Sequence, residues 1–266
     1  MRLLLQIDID RINSWFKLNK LTVNISKTSC ILFSSNHIVT QCNLDLTIDG
    51  NGIEQVSTIR YLGLTLDCKL TWADHVSELC KVISPKVGLL RKLKHILPHT
   101  CLDTVYRTTV QSRIDYLLSV WGFTADCHLH KVQKMQNRAA RLITHNFDRD
   151  VRSIDIVKQL GWQSVTERRD YFTIVTVFKS LNGLLPPYMQ DMFTYSHNMV
   201  SRTTRSTARN DLYVPPVNRK LFCQSLQYTG AKLWNSLPIN LRTIDSLPVF
   251  KHKLKQHLCN AEPITL

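Results

Sequence analysis

The residues of this 266-residue chain best placed to do chemistry are cations. Lys131, Lys134, Arg138 and Arg141 recur at i, i+3, i+7 and i+10, interleaved with Leu129, Val132, Ala139 and Ile143 at helical spacing. On a helix the four project from one face, and no acid lies among them to neutralise the row. A rigid row of cations can track a phosphate backbone; a plain solvated helix face is the alternative account. Other chemistries find less support. Cys127, His128 and His130 form the one tight Cys/His group, and zinc would need a second ligand pair at workable spacing, which is not evident. No phosphate loop, nucleophile elbow or HExxH motif is present.

The charge balance also points to an anionic partner. There are 34 Lys and Arg against 20 Asp and Glu, a net of +14 and a pI near 9.6. The excess is uneven: residues 1–79 net −1, 80–150 net +7, 151–200 net +1 and 201–266 net +7. A nucleic acid would be held by the second and fourth segments. Apolar residues make up 44% of the chain, enough for a sizeable core. None of the eight cysteines forms a CxxC pair, which suits reduced thiols rather than a secreted disulfide scaffold. The start, MRLLLQIDID, meets acids too soon for a signal peptide, and no uncharged apolar run is long enough for a bilayer. The expectation is an intracellular protein, cytoplasmic or nuclear, neither secreted nor embedded in a membrane.

The elements that must carry these residues read as an α+β fold, mainly helical, with a small antiparallel sheet near the N-terminus. Leu5, Ile9, Ile12, Trp15 or Phe16, and Leu18 predict a helix over 3–20. The run Ser29–Ser34 predicts a buried strand. Leu44–Ile48 and Ile53–Ile59, joined by Asp49-Gly50-Asn51-Gly52, predict a hairpin. Tyr61–Leu66 predicts a further strand, with Gly63 marking a bulge or a close backbone approach. Three helical stripes follow: Ile83 to Leu97, with Pro85 in its first turn or at a break; Tyr106, Val110, Ile114, Leu117 and Trp121; and Leu129 to Ile143. Thr166–Leu181, Leu221–Trp234 and Val249–Leu258 predict tail helices, and the polar stretch 197–212 predicts a linker.

At this level the residues resemble a known family, the reverse transcriptases of non-LTR (LINE-type) retrotransposons of the jockey-like and CR1-like kind. The resemblance begins in IDRINSWFKLNKLTVNISKTSCILFS, where Trp15, Asn19, Leu21, Asn24, Lys27 and Thr28 fit. It continues through Tyr61, Leu62, Gly63, Leu66, Asp67, Leu70, Trp72 and His75, then Tyr106, Tyr116, Trp121, Gln136 and Arg138–Arg141. The tail adds Trp234-Asn235, Leu237-Pro238 and Phe250-Lys251.

The resemblance implies the end of a polymerase palm over 1–70, a thumb-like helix bundle over 71–150 and a carboxy-terminal extension over 151–266. It implies a primer-grip-like hairpin at Tyr61, Leu62 and Gly63, and a template–primer grip on the basic helices. Lys27 falls where a residue of such enzymes protonates leaving pyrophosphate; the alternative is an exposed turn lysine. An intact family member uses magnesium held by palm carboxylates, two of them in a Tyr-x-Asp-Asp hairpin. The chain has no Asp-Asp dipeptide. Asp8 and Asp10, the nearest candidates, lie about 200° apart on the predicted helix and could not share a metal. The expectation is therefore a polymerase fragment with no cofactor and no activity of its own, still binding RNA or an RNA–DNA hybrid. The alternative is a host-retained, non-catalytic RNA-binding or interaction protein.

Overall fold

The computed structural model describes residues 2–34, 42–199, 210–217 and 221–260, which fall into two compact units, Met1–His75 and Val76–Leu266. Most of the stretch predicted as a linker, residues 200–209, lies outside the described residues.

In the first unit, α1 (Arg2–Leu18) forms where the apolar period predicts it, yet it buries none of its residues. Polar side chains fasten it instead. Gln6 both donates to and accepts from the Thr47 backbone, at 2.9 and 3.0 Å, and Asn13 donates to the Asp49 carboxylate at 2.8 Å. Ile9 and Phe16 are half-buried behind these bonds, whereas Leu3, Leu4, Ile12, Trp15 and Leu18 stay exposed. The predicted apolar stripe is thus real as a pattern but mostly uncovered. Beside it an apolar groove of about 610 Å³ runs between Ile9, Phe16, Val23, Leu46 and Ile53.

The strands are short. β1 (Ser29–Cys30) pairs parallel with β4 (Glu54–Gln55); β2 (Thr47–Ile48) pairs antiparallel with β3 (Asn51–Gly52), and β5 (Thr58–Tyr61) with β6 (Leu64–Asp67). Three expectations need correction. The run 29–34 pairs only over its first two residues, and Phe33 is left 45% exposed. The first hairpin turns on two residues rather than four: Asp49 (φ 51°) and Gly50 (φ 77°) both take the left-handed conformation that matches strand twist. The run 61–66 is not one strand. It folds back at Leu62 (φ 45°) and Gly63 (φ 81°), so Gly63 is a turn residue and not a bulge. The alternating apolar pattern hides that turn because its first central position is Leu, which is strained there, rather than Asn or Asp.

After β6 the Asp67 carboxylate organises the chain into the next helix. It accepts from the backbone N–H of Lys69, Thr71 and Trp72 and from the Thr71 hydroxyl, at 2.9–3.1 Å. Leu70 (φ 52°) and Trp72 (φ 63°) are both left-handed in this loop, a costly conformation for bulky residues. Partial burial works to raise the Asp67 pKa, but these four bonds outweigh it and hold the carboxyl below its ordinary range.

The second unit is helical. α2 (Ala73–Leu93) runs unbroken through Pro85. The position of Pro85 explains why: it and Lys81, whose carbonyl loses its helical donor, both face solvent. α3 (His99–Tyr106) continues through a π-helical turn, Arg107–Gln111, into α4 (Ser112–Asp115). The predicted stripe to Trp121 is interrupted there. Leu117 turns left-handed (φ 49°) and exposed, and Leu118 takes the buried place at the start of α5 (Leu118–Trp121). α6 (Asp126–Thr144) and α7 (Ser153–Gln159) follow.

α8 (Val165–Leu181) starts from a capping box in which Ser164 and Glu167 satisfy each other's backbone N–H. It packs against α4, α5 and α6 and also against two later helices, α11 (Leu226–Ser236) and α13 (Leu247–Asn260). Between them come short turns: α9 (Pro187–Gln190), α10 (Ser196–Met199) and α12 (Ile239–Arg242). Residues on both sides of position 150 therefore share one core, which includes Phe123, Phe178, Trp234 and Phe250. Asn235 closes this core by clamping the Leu212 backbone, donating to its carbonyl at 2.8 Å and accepting from its N–H at 2.7 Å.

Candidate nucleic-acid interface

The inner face of α6 is fixed by burial of Leu129, Val132, Gln136, Ala139, Ala140 and Ile143. Gln136 is 1% exposed and donates to the Tyr106 hydroxyl (3.2 Å) and the Gln163 carbonyl (3.0 Å). Tyr106 stacks on Trp162 at 3.8 Å, and burial pushes its phenol up, out of the titrating range. With the inner face locked, the outer face is locked too. Lys131, Lys134 and Arg138 all lie exposed on it, and among the described residues no carboxylate pairs with any of them.

Arg141 differs from its three companions. It is half-buried and donates to the carbonyls of Asn146, Asp148 and Val151 and to the Ser153 hydroxyl, at 2.7–3.4 Å. Its guanidinium is committed to the loop that follows α6. Spacing places Arg141 in the row; the loop's carbonyls, which spacing does not reveal, take it out of the free set.

Two further cations join the row from α2 and its last turn. Arg91 and Lys94, with Ser84, Val87 and Gly88, face Arg138, Leu142 and Phe147 across a groove of about 590 Å³. The helical spacing that marks the α6 row does not extend to Arg91 or Lys94. Their signal is the Arg91-Lys92-x-Lys94 cluster inside the strongly basic segment 80–150, but only packing shows which of those cations share a surface with Arg138.

In the first unit the tip of the β5–β6 hairpin presents Tyr61 (61% exposed) and Leu62 (69% exposed), with Gly63 beside them. Lys27 is exposed at the end of a 3₁₀ turn, Ile25–Lys27, which Asn24 caps by accepting from the Lys27 N–H. These residues belong to one unit and the basic row to the other. The acids of α1 have partners of their own. Asp8 lies 3.7 Å from Arg11, and Asp10 accepts from Gln6 at 2.9 Å. Among the described residues no three His, Cys, Asp or Glu side chains form a metal-holding group.

The buried ion pairs serve the core rather than this surface. Burial raises the Asp115 carboxyl and Arg168 opposes the shift; the same holds for Asp170 beside Arg169.

Known proteins resemble the chain in sequence. It is 24% identical over 201 residues to a Drosophila melanogaster protein named "Probable RNA-directed DNA polymerase from transposon X-element", covering 74% of this chain and 20% of that one. To the RNA-directed DNA polymerase from mobile element jockey, of the same organism, it is 26% identical over 143 residues, 53% of this chain and 15% of the relative. To that organism's "Probable RNA-directed DNA polymerase from transposon BS" it is 30% identical over 145 residues, 53% and 16%. The curated homologues of the chain are Drosophila RNA-directed DNA polymerases of non-LTR retrotransposons. It spans a fifth or less of the length of the curated relatives it matches. No family model and no solved structure matches the chain, and no helix among its described residues is long and apolar enough to cross a membrane.

Proposed function

We propose that this chain is the nucleic-acid-holding part of a non-LTR reverse transcriptase, a thumb-like helical unit and a primer-grip-like hairpin, and that it does not polymerise by itself. The observation that carries this reading is the outer face of α6, where Lys131, Lys134 and Arg138 stand exposed and without carboxylate partners among the described residues. Phosphates are the natural counterions of such a row. The hairpin tip adds Tyr61 and Leu62, an amphipathic pair suited to lie against sugar and base edges. Lys27 is exposed at the end of the Asn24-capped turn, the place the turn-lysine reading gives it. The given sequence has no Asp-Asp dipeptide, and Asp8 and Asp10 each have a partner of their own.

The test is fluorescence anisotropy of the chain with an RNA–DNA hybrid across a salt series. Binding should weaken steeply with salt. The triple variant Lys131→Gln/Lys134→Gln/Arg138→Gln should flatten the log–log slope by about 2–3, at roughly 0.7–0.9 for each phosphate no longer neutralised. An unchanged slope and affinity in the folded triple variant would remove the proposal.

A further inference from the structure

We infer that the groove between α2 and α6 holds one unstacked nucleotide of a single strand, its phosphate among Arg91, Lys94 and Arg138 and its base on Phe147. The inference rests on the reading of this unit as a nucleic-acid binder, and deepens it by naming the form of the ligand.

Four observations support it. The groove is about 590 Å³, within the range of small-ligand sites. Its lining combines three cations with Val87, Leu142 and Phe147 and holds no acid, the combination used for a phosphate beside a base. Phe147 is 55% exposed although Lys94 lies over its ring, 4.7 Å from the centroid. A second planar group therefore has room to stack.

The fourth observation is that the loop carrying Phe147 is built rather than loose. Arg141 binds the carbonyls of the residues on either side, Asn146 at 3.4 Å and Asp148 at 2.7 Å, and the Asn146 side chain accepts from the Asp148 N–H at 3.1 Å. A backbone fastened on both sides of Phe147 narrows the positions its exposed ring can take. Arg141 is thus a positioning residue for Phe147, which explains why the fourth cation of the row faces away from the other three in its bonding.

The groove can also be filled without touching a charge. Gly88 lies inside α2, and a Cβ added there meets nothing within 4 Å. Gly88→Leu puts a side chain into the groove and leaves Arg91, Lys94 and Arg138 in place. Gly88→Ala is the control, small enough to leave most of the space and compatible with a helix.

The experiment measures anisotropy of the full chain with a labelled single-stranded oligouridylate of about ten nucleotides and, separately, with an RNA–DNA hybrid. Gly88→Leu and Phe147→Ala should each weaken single-strand binding about tenfold or more. Hybrid binding, and both affinities of Gly88→Ala, should stay within about twofold of the parent. A 4-thiouridine probe should photo-crosslink at Phe147. Equal losses on single strand and hybrid would overturn the inference, since the groove would then lack selectivity for an unpaired base. No loss on either, with the parent binding, would overturn it while the reading of the α6 face stands. A parent chain that binds neither probe at low salt would remove both.

Discussion

Replacing Asp67 by Ala should loosen the loop between β6 and α2 by about 2–3 kcal/mol. The carboxylate collects four hydrogen bonds: Oδ1 from the Lys69 and Thr71 N–H groups, Oδ2 from the Trp72 N–H and the Thr71 hydroxyl. A bond to a charged group contributes about 1.5–3 kcal/mol in isolation, but these four share one half-exposed carboxylate and do not add. Losing them also frees Leu70 and Trp72 from left-handed conformations that cost about 1–2 kcal/mol each, which offsets part of the loss. The assay is amide hydrogen exchange at Lys69, Thr71 and Trp72, which reports local opening. A loss of about 2–3 kcal/mol speeds exchange there about 30- to 150-fold. Asp67→Asn should behave almost as badly. Each carboxylate oxygen serves two donors, so an amide keeps one acceptor and turns N–H groups toward the other pair.

The pH dependence carries the same sign. Because the folded pKa of Asp67 lies below its ordinary value of 3.8, the stability it contributes is full above that value and is lost as pH falls through the lower folded one. Exchange within threefold of the parent in both variants, or full protection restored by Asn, would refute this account of the loop.

Asn235→Ala should cost about 2–4 kcal/mol in chemical denaturation. Leu212, 1% exposed, would be left with both a buried N–H and a buried carbonyl unpaired; a loss below about 1 kcal/mol would show that the clamp is dispensable. Arg141→Ala and Lys134→Ala should separate frame from surface. The first removes four hydrogen bonds and should lower stability by about 2–3 kcal/mol, while the second should stay within about 0.5 kcal/mol and show only in binding.

What the sequence reveals depends on whether a residue's partner is local. The span of α1, the existence of the Asp49-Gly50 turn and the exposed face of α6 all follow from periodicity or turn chemistry within a few residues. The Leu62-Gly63 turn does not, because an apolar alternation continues through it and only the β5–β6 pairing discloses the reversal. The break at Leu117 is hidden likewise, since Leu117 and Leu118 are interchangeable by hydropathy and differ only in backbone conformation. The groove was not legible at all. It depends on Arg91, on α2, and Phe147, in the loop after α6, lining one groove although 56 positions apart.

The motif residues that mark the resemblance and the cations that carry the proposed binding are largely different sets, for a physical reason. Asp67, Gln136, Arg141 and Asn235 each satisfy several backbone groups or buried side chains at once. Such a residue has few substitutes, because any other side chain leaves a buried donor or acceptor unpaired. Lys131, Lys134, Arg91 and Lys94 meet solvent, and a neighbouring position on the same face could supply the same charge. The first set therefore belongs to the frame. On the proposed reading, whether that frame holds nucleic acid turns on the second set, for which a salt series is the direct measurement.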